Sequence, residues 1–350
     1  MGRILFFTAL LFSIGQLYAQ EIRETDTLTH LFRIYEDDDC INILGQFSDN
    51  AYTNGTRLDY FYMPGRTPRF FIDRLLPHAG RDSRNIYGWG ITQLMYTPDD
   101  LNSTAYQPHD YPYSGALFAT HTLYSYNKQK KYSLQSELVL GMIGPASLAK
   151  QLQTFVHRVE GFDIPKGWHH QYRNDILFNI NVTAEKELTH LGDGLEVIGG
   201  GRAFLGTMQN GLALYPLIRF GGMTPYFNGF ISQYASTTRN KEGDRRGQFY
   251  FFIKPEVQLV LSNAMVQGGL FTSNPNLAPG EEKVPATAQT PPPPPVLPYP
   301  DLNRLYASVS YGAVFTIGSF GLSFSQTSSS AQLKGLYCHT TGNVSACFSW

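Results

Sequence analysis

Beyond its first residues, the sequence lacks the long apolar runs of a helical membrane protein. After Ile14 no segment approaches the ~18 consecutive apolar residues that a membrane-spanning helix needs, which excludes a helical bundle. Charged residues are also scarce, at 16% of the chain against about 25% in globular proteins. The net charge of −1 gives no support for nucleic-acid binding, so no nucleic-acid partner is expected.

Cysteine is scarce as well, with only three in the chain. Cys40, Cys338 and Cys347 have neither the spacing of a metal site nor that of a disulfide framework. One pair is conceivable in an oxidising compartment, which would leave one thiol over.

Aromatic residues and glycine are abundant instead. Phe, Tyr and Trp make up 14% of the chain, and there are 33 glycines. This composition is typical of a β-barrel with aromatic girdles at the two membrane interfaces.

The N-terminus has the layout of a secretory signal. Arg3 precedes an apolar run from Ile4 to Ile14, and a cleavage site follows Leu17-Tyr18-Ala19. We therefore expect a signal peptide over residues 1–19 and a single exported domain over residues 20–350.

Alternation of apolar and polar side chains is the main structural signal. Residues 175–183 and 251–261 each present one apolar and one polar face. Lys254 and Glu256 at inward positions favour a wet barrel lumen over the dry core of a sandwich. The last residues alternate too and end on Trp350, which resembles the assembly signal of outer-membrane barrels.

The sequence thus predicts an all-β fold, a transmembrane antiparallel β-barrel of about twelve strands with a short helix in an external loop. An even strand number is usual in bacterial barrels. The predicted strands span 31–39, 54–63, 86–96, 113–126, 132–142, 170–186, 194–206, 211–221, 247–261, 302–316, 319–327 and 342–350.

Strand parity assigns the connections to the two sides of the membrane. With a periplasmic N-terminus, connections after even strands are periplasmic, and most of them are short. Met63–Asn85 and Gly222–Arg246 are long for periplasmic turns. Asn274–Pro300 contains five consecutive prolines, which forbid ladder pairing and indicate an extended or disordered external loop.

Only the stretch Gly144–Gln171 reads convincingly as a helix. Pro145 suits the first helical turn, the run to Val159 has no breaker, and Gly161 followed by Pro165 ends it.

The polar residues of this helix suggest chemistry. Gln153 and His157 are four residues apart and share a face, with Lys150 and Arg158 close by. An amide, an imidazole and cations suit a polar reaction on an anionic substrate, although a solvated loop helix would look similar.

By parity, four polar patches share the external rim. Clustered carboxylates and backbone carbonyls suit a hard cation such as Ca²⁺. A histidine beside such an ion could activate water for ester hydrolysis. The patches are Glu36–Asp39, Asp49–Gly55, Pro108–Gly115 and the helix.

Several motifs resemble the outer-membrane lipid A 3-O-deacylase family of the LpxR type. The resemblance runs from Tyr35 to Trp350 and is densest before Asn181. The helix block, with its Gln-x-x-x-His pair and P-x-G-W-x-x-Q exit, is the most specific. The motifs are YEDDD (35–39), DNAYTNGTRL (49–58), GWGITQLMYTPDDL (88–101), PHDYPYSGALF (108–118) and GPASLAKQLQTFVHRVEGFDIPKGWHHQYRND (144–175).

The resemblance implies a Ca²⁺-dependent enzyme of the outer membrane that removes the 3′-acyloxyacyl group of lipid A. Its active site would lie between the barrel wall and the external helix, facing the exterior. His157 matches the family's catalytic histidine, Asp38 its metal-binding aspartate and Thr53 a functional threonine.

Two positions depart from the family pattern. Asp37 replaces the usual Asn and adds a negative charge beside the metal, and Tyr111 replaces an Arg that is a candidate phosphate contact.

Further roles complete the expected site. Gln153 would assist His157 in catalysis, and Asp37 would share the ion with Asp38. Asp163 would orient the second ring nitrogen of His157. Candidate substrate contacts are Lys150, Arg158, Lys166 and Asp110.

Alternatives remain. The protein is expected to be a monomer. A passive barrel, either a small porin or an adhesion platform that uses the proline-rich loop, would show no dependence on metal or on His157. A phospholipase would use the same chemistry on another outer-membrane ester. A serine esterase is disfavoured because the chain has no Gly-x-Ser-x-Gly motif.

Overall fold

The computed structural model describes residues 28–39, 41–42, 51–65, 70–235, 247–271 and 301–350. The predicted signal peptide, the proline-rich insert, Asp49 and Cys40 lie outside these residues. Among them, no helix is both long and apolar enough to cross a membrane.

Twelve strands make up most of the described chain, and each pairs antiparallel with its neighbours in one closed barrel. The predicted fold class and strand number are confirmed. The strands are β1 (His30–Asp38), β2 (Ala51–Tyr62), β3 (Arg84–Thr97), β4 (Ser114–Asn127), β5 (Tyr132–Ile143), β6 (Asp175–Leu191), β7 (Leu195–Gly206), β8 (Gln209–Gly222), β9 (Gln248–Asn263), β10 (Leu305–Ile317), β11 (Phe320–Ser329) and β12 (His339–Ser349).

Three α-helices lie in the connections of the described chain. They are α1 (Ala149–Glu160), α2 (Phe230–Gln233) and α3 (Ala264–Gln267).

The barrel closes where the first strand meets the last. β1 pairs with β12 from Leu31↔Ser349 to Asp38↔Gly342. Trp350 exchanges backbone hydrogen bonds with His30, and their rings stack with centroids 5.4 Å apart. We call this end of the barrel the terminal end, and the opposite end, which carries α1, the helix end.

The predicted faces of the strands are confirmed. In β9 the apolar members of the alternation are exposed on the outside, whereas Glu256 and Gln258 are buried on the inside. A salt bridge joins Lys254 to Glu256, and Arg202 also pairs with Glu256. Also inside the barrel, Arg57 of β2 bridges Asp59 of the same strand at 2.7 Å and Glu137 of β5 at 2.9 Å. The lumen is therefore lined by paired charges, and the outer wall is apolar.

The connection between β8 and β9 is long because part of it, residues 224–235, folds back into the terminal end of the barrel. Phe227 is only 1% exposed, and the Tyr226 hydroxyl donates to Glu185 at 2.8 Å. Arg219 of the wall is 2% exposed, pairs with Glu196 at 2.7 Å and contacts the Tyr226 ring. We call residues 224–235 the plug.

The helix end of the lumen is closed by a cluster of buried aromatic and aliphatic side chains. Tyr172 from the loop after α1 donates its hydroxyl to the Val266 carbonyl at 2.9 Å, which ties this loop to α3. Members of the cluster include Tyr96, Tyr111, Met265, Leu302 and Leu333.

A closed lumen predicts that the protein does not conduct ions as a porin would. We expect purified protein in a planar bilayer to show no steady open-channel current. A variant that lacks residues 226–233 should also show no current, because the buried cluster still closes the helix end. Steady conductance of the unaltered protein would contradict this arrangement and favour the porin alternative.

The predicted start of one strand was wrong. The sixth strand begins at Asp175 and not at residue 170, because Trp168–His170 forms a 3₁₀ turn. The two thiols in the described chain do not pair. Cys338 is exposed before β12 at the helix end, and Cys347 is buried near the terminal end.

Candidate active site on the outer wall

The helix begins later than the sequence predicts. Pro145–Ser147 forms a separate 3₁₀ turn, and Leu148 takes a left-handed conformation with φ of 60° before α1 starts. Few non-glycine residues adopt this conformation, so the break had no clear sequence signal. The predicted end is confirmed, since Gly161 with φ of 78° caps the helix at the His157 carbonyl.

α1 packs on the outer face of the barrel, not over its mouth. Gln93 of β3 points to the same outer face as the exposed Trp89 and Ile91. Its side-chain amide donates a hydrogen bond to the Ser147 carbonyl at 2.6 Å. A Cβ at Gly115 of β4 would lie 2.3 Å from the Cβ of Ala149. Glycine at this position therefore lets the helix approach the wall.

The wall-facing side of α1 carries the candidate catalytic residues. Ala149, Gln153 and His157 are its buried residues, and their spacing of four places them on one face. Ala149 packs with Met95 of β3 and with Trp168. Gln153 and His157 therefore follow along the same face, next to the barrel wall.

Gln153 is held by an aromatic residue that the sequence interpretation did not single out. The Trp168 indole donates to the Gln153 Oε1 at 2.7 Å, and the Trp168 ring packs on Tyr113 with centroids 5.0 Å apart. Both Gln153 and Trp168 are buried. The contact fixes the amide rotamer one turn before His157.

His157 is 5% exposed and has a defined ring orientation. Its Nδ1 lies 2.6 Å from the backbone carbonyl of Asp163. A carbonyl only accepts hydrogen bonds, so Nδ1 carries the proton and Nε2 is the basic nitrogen. This is the tautomer that a general base requires.

Asp163 lies where the expected orienting residue of His157 should be, and it contacts the ring through its backbone. The orienting atom is its backbone oxygen, while its exposed carboxylate accepts from the Asn102 amide at 3.0 Å. The backbone N–H of Lys166 also donates to the Leu101 carbonyl at 2.9 Å. The loop after β3 thus holds the loop after α1 in place.

Asp38 lies on the outer face of β1. It shares parity with Phe32, which is exposed on the outside. The Asn54 Nδ2 of β2 contacts the Asp38 Oδ2 at 3.4 Å, the Asp37 carbonyl at 3.2 Å and a Glu36 carboxylate oxygen. Three oxygens therefore converge on one hydrogen-bond donor, as they would around a small cation.

Asp37 faces the opposite side of the wall. Its Oδ2 accepts from the hydroxyls of Tyr35 and Tyr52, each at 3.0 Å, inside the barrel. Adjacent residues of a strand point to opposite faces. The expectation that the Asp37 and Asp38 carboxylates share one ion finds no support in this arrangement.

Thr53 occupies an irregular position in β2. The register between β2 and β3 shifts between Tyr52 and Asn54, which leaves Thr53 as the extra residue. Its hydroxyl lies 2.7 Å from that of Thr97, and its carbonyl accepts from the Asp39 N–H. Thr97 points to the same face of β3 as Met95, which packs under α1. The bulge at Thr53 therefore lies next to the part of the wall that the helix covers.

The candidate substrate contacts divide into two groups. Lys150, Arg158 and Lys166 are exposed, and the first two do not belong to the buried face of α1. Asp110 is an organising residue: its carboxylate accepts from the backbone N–H of Asp99 at 2.8 Å and from the Tyr337 hydroxyl at 3.0 Å.

Tyr111, which replaces the family's arginine, belongs to the cluster that closes the lumen. Its side chain is 1% exposed, and its oxygen accepts from the Gln332 N–H at 3.1 Å. Burial raises the pKa of Tyr111 to about 12, so its hydroxyl stays neutral. It is placed for packing and not for contact with an outer-wall ligand.

Sequence reasoning missed Trp168, Thr97 and the role of Asn54. All three lie within the motifs that carried the family resemblance, which was the available signal. Among the described residues, no group of three or more His, Cys, Asp or Glu side chains could hold a metal. An ion at Asp38 would need amide and backbone oxygens as well.

Comparison with known proteins shows which family model the sequence matches. The family model described as "Outer membrane protein LpxR" matches residues 4–350. No curated protein sequence matches the chain significantly.

Solved structures resemble the fold. LpxR from Salmonella typhimurium matches with a TM-score of 0.66 at 15% identity, covering 91% of this chain and all of the other. The β domain of the Bordetella autotransporter BrkA has a TM-score of 0.43 at 9% identity, covering 93% of this chain and all of the other. The KdgM porin has a TM-score of 0.37 at 7% identity, covering 91% and 99%.

Proposed function

Because the chain belongs to the LpxR family of outer-membrane proteins, we propose that it is a lipid A deacylase that hydrolyses the ester-linked 3′-acyloxyacyl group. The family supports an outer-membrane enzyme acting on lipopolysaccharide. The observation that carries the chemistry is His157, buried between α1 and the wall with its tautomer fixed by the Asp163 carbonyl.

In the proposed reaction, His157 acts as a general base. Its Nε2 takes a proton from water as the water oxygen attacks the ester carbonyl, and the Asp163 carbonyl holds the Nδ1 proton throughout. The imidazolium then returns the proton to the leaving hydroxyl of lipid A. The products are a fatty acid and a 3′-hydroxyl.

Other residues position this base. Trp168 holds Gln153, and Gln153 packs beside His157 on the same face of α1. Thr53 and Thr97 add two hydroxyls on the wall next to the helix. These groups can orient the water and the ester without ionising.

The donor set around Asp38 fits Ca²⁺. The Glu36 and Asp38 carboxylates and the Asp37 carbonyl, which converge on the Asn54 Nδ2, are hard oxygen ligands of the kind that Ca²⁺ takes. Bound there, Ca²⁺ would supply a positive charge for the ester carbonyl. Asp37 contributes its backbone oxygen to this set.

We propose that the site faces the exterior and that the protein acts as a monomer. His30 and Trp350 lie at the terminal end, which carries the short turns between β4 and β5, β6 and β7, and β10 and β11, as expected of the periplasmic side. The helix end, with α1, then meets the outer leaflet, where lipid A resides.

Mass spectrometry of lipid A tests the proposal. Cells that express the protein should yield lipid A without the 3′-acyloxyacyl group, and matched cells without it should retain that group. Intact lipid A in both would overturn the proposal. Lysophospholipid released in its place would favour the phospholipase alternative.

A further inference from the structure

α1 presents an apolar face that neither the wall nor another loop of the described chain covers. Phe155 is 62% exposed and Val159 is 64% exposed, and Val156 is 41% exposed between them. Past the helix, Phe162 and Ile164 are also exposed, at 52% and 38%. We call these five residues the apolar face of α1.

The helix has three sides, which follow from its period of 3.6 residues. Ala149, Gln153 and His157 face the wall, whereas Lys150 and Arg158 share a polar side. Phe155 and Val159 are four residues apart and form the third side. A loop helix surrounded only by water would not direct large apolar side chains away from the protein.

This face lies beside the lipid-facing band of the barrel. α1 packs on the outer faces of β3 and β4 through Gln93 and Gly115, and the outer face of β3 also exposes Trp89 and Ile91. Because α1 lies against the outside of the wall, its third side, which does not face the wall, is turned towards the surrounding membrane. Exposed cations on the adjacent polar side suit the level of anionic headgroups.

We infer that the apolar face of α1 is embedded in the acyl chains of the outer leaflet, so that the helix that carries His157 is itself a membrane contact. The apolar face would contact bilayer hydrocarbon at the depth of an interfacial helix, whose apolar side is buried ~5–10 Å into the boundary between headgroups and acyl chains. The role of this contact in catalysis rests on the proposed function, because it would hold His157 at the level of the ester bonds.

Depth-dependent fluorescence quenching tests the contact without any assay of activity. Phe155→Trp protein in phosphatidylethanolamine–phosphatidylglycerol liposomes should lose most of its added emission to phospholipid brominated near the headgroup, and less to phospholipid brominated near the chain end. Thr154→Trp is the matched control, because Thr154 is four residues from both Lys150 and Arg158 and therefore lies on the polar side of α1. Its added emission should change little. Equal quenching of the two variants would overturn the inference.

A second measurement addresses catalysis. Phe155→Asp/Val159→Asp protein should show a KM for lipid A in liposomes raised several-fold, whereas Thr154→Asp, on the polar side of α1, should match the unaltered protein. If the unaltered protein fails to deacylate lipid A but Phe155→Trp is still quenched selectively, the membrane contact stands and the proposed function fails. Unchanged KM in the double variant would overturn the role of the contact in catalysis.

Discussion

Replacing His157 by Asn should lower the deacylation rate of the purified protein by ~10²–10⁴-fold, the usual contribution of a general base. Asparagine keeps a polar group of similar size near the Asp163 carbonyl but cannot take a proton from water. The rate should be measured on lipid A in liposomes and on phospholipid.

Two controls separate a catalytic effect from misfolding. The variant should remain a heat-modifiable barrel, which migrates faster on an unboiled gel than after boiling. Arg158→Gln, next to His157 but exposed on the polar side of α1, should retain a rate within several-fold. A wild-type rate in His157→Asn protein would show that His157 is not the base.

Replacing Asp38 by Ala should also abolish most deacylation, and should remove any response to added Ca²⁺. The change deletes one of two carboxylates near the Asn54 amide, so the remaining oxygens would hold a cation far more weakly. Loss of electrostatic stabilisation at an ester carbonyl typically costs ~10²–10³-fold in rate. A chelator should cause a similar loss in the unaltered protein and little further loss in the variant.

Two further variants sharpen this test. Asp37→Asn should leave Ca²⁺ dependence unchanged, because the Asp37 carboxylate faces the lumen and only its backbone oxygen lies near Asp38. The Asp38→Ala/His157→Asn variant should lose less than the product of the two single losses, since both residues act on one transition state. Full activity in a chelator would rule out the metal.

Much of the fold could be predicted from the sequence because strand alternation is a local pattern. Twelve strands, their faces and the inward Lys254 and Glu256 follow from a period of two residues. The plug could not be predicted in this way. Its residues pack by contacts with distant strands, such as Tyr226 with Glu185, and carry no periodic signal.

The candidate site was only partly accessible from sequence. The shared face of Gln153 and His157 follows from helical spacing, but its contact with the outer wall depends on the left-handed Leu148 and on the close approach at Gly115. The alternation of side chains along a strand implied that Asp37 and Asp38 point to opposite faces of β1. The parts played by the Asp163 carbonyl and Trp168 required the folded loop.

The packing of α1 against the outside of the wall bears on how a substrate would arrive. A lipid would not need to leave its leaflet or pass through the lumen, so encounters would arise from lateral diffusion in two dimensions. The turnover of a deacylase built in this way would follow the mole fraction of its substrate among neighbouring lipids. Diluting lipid A with inert lipid at a fixed bulk concentration would therefore slow the reaction.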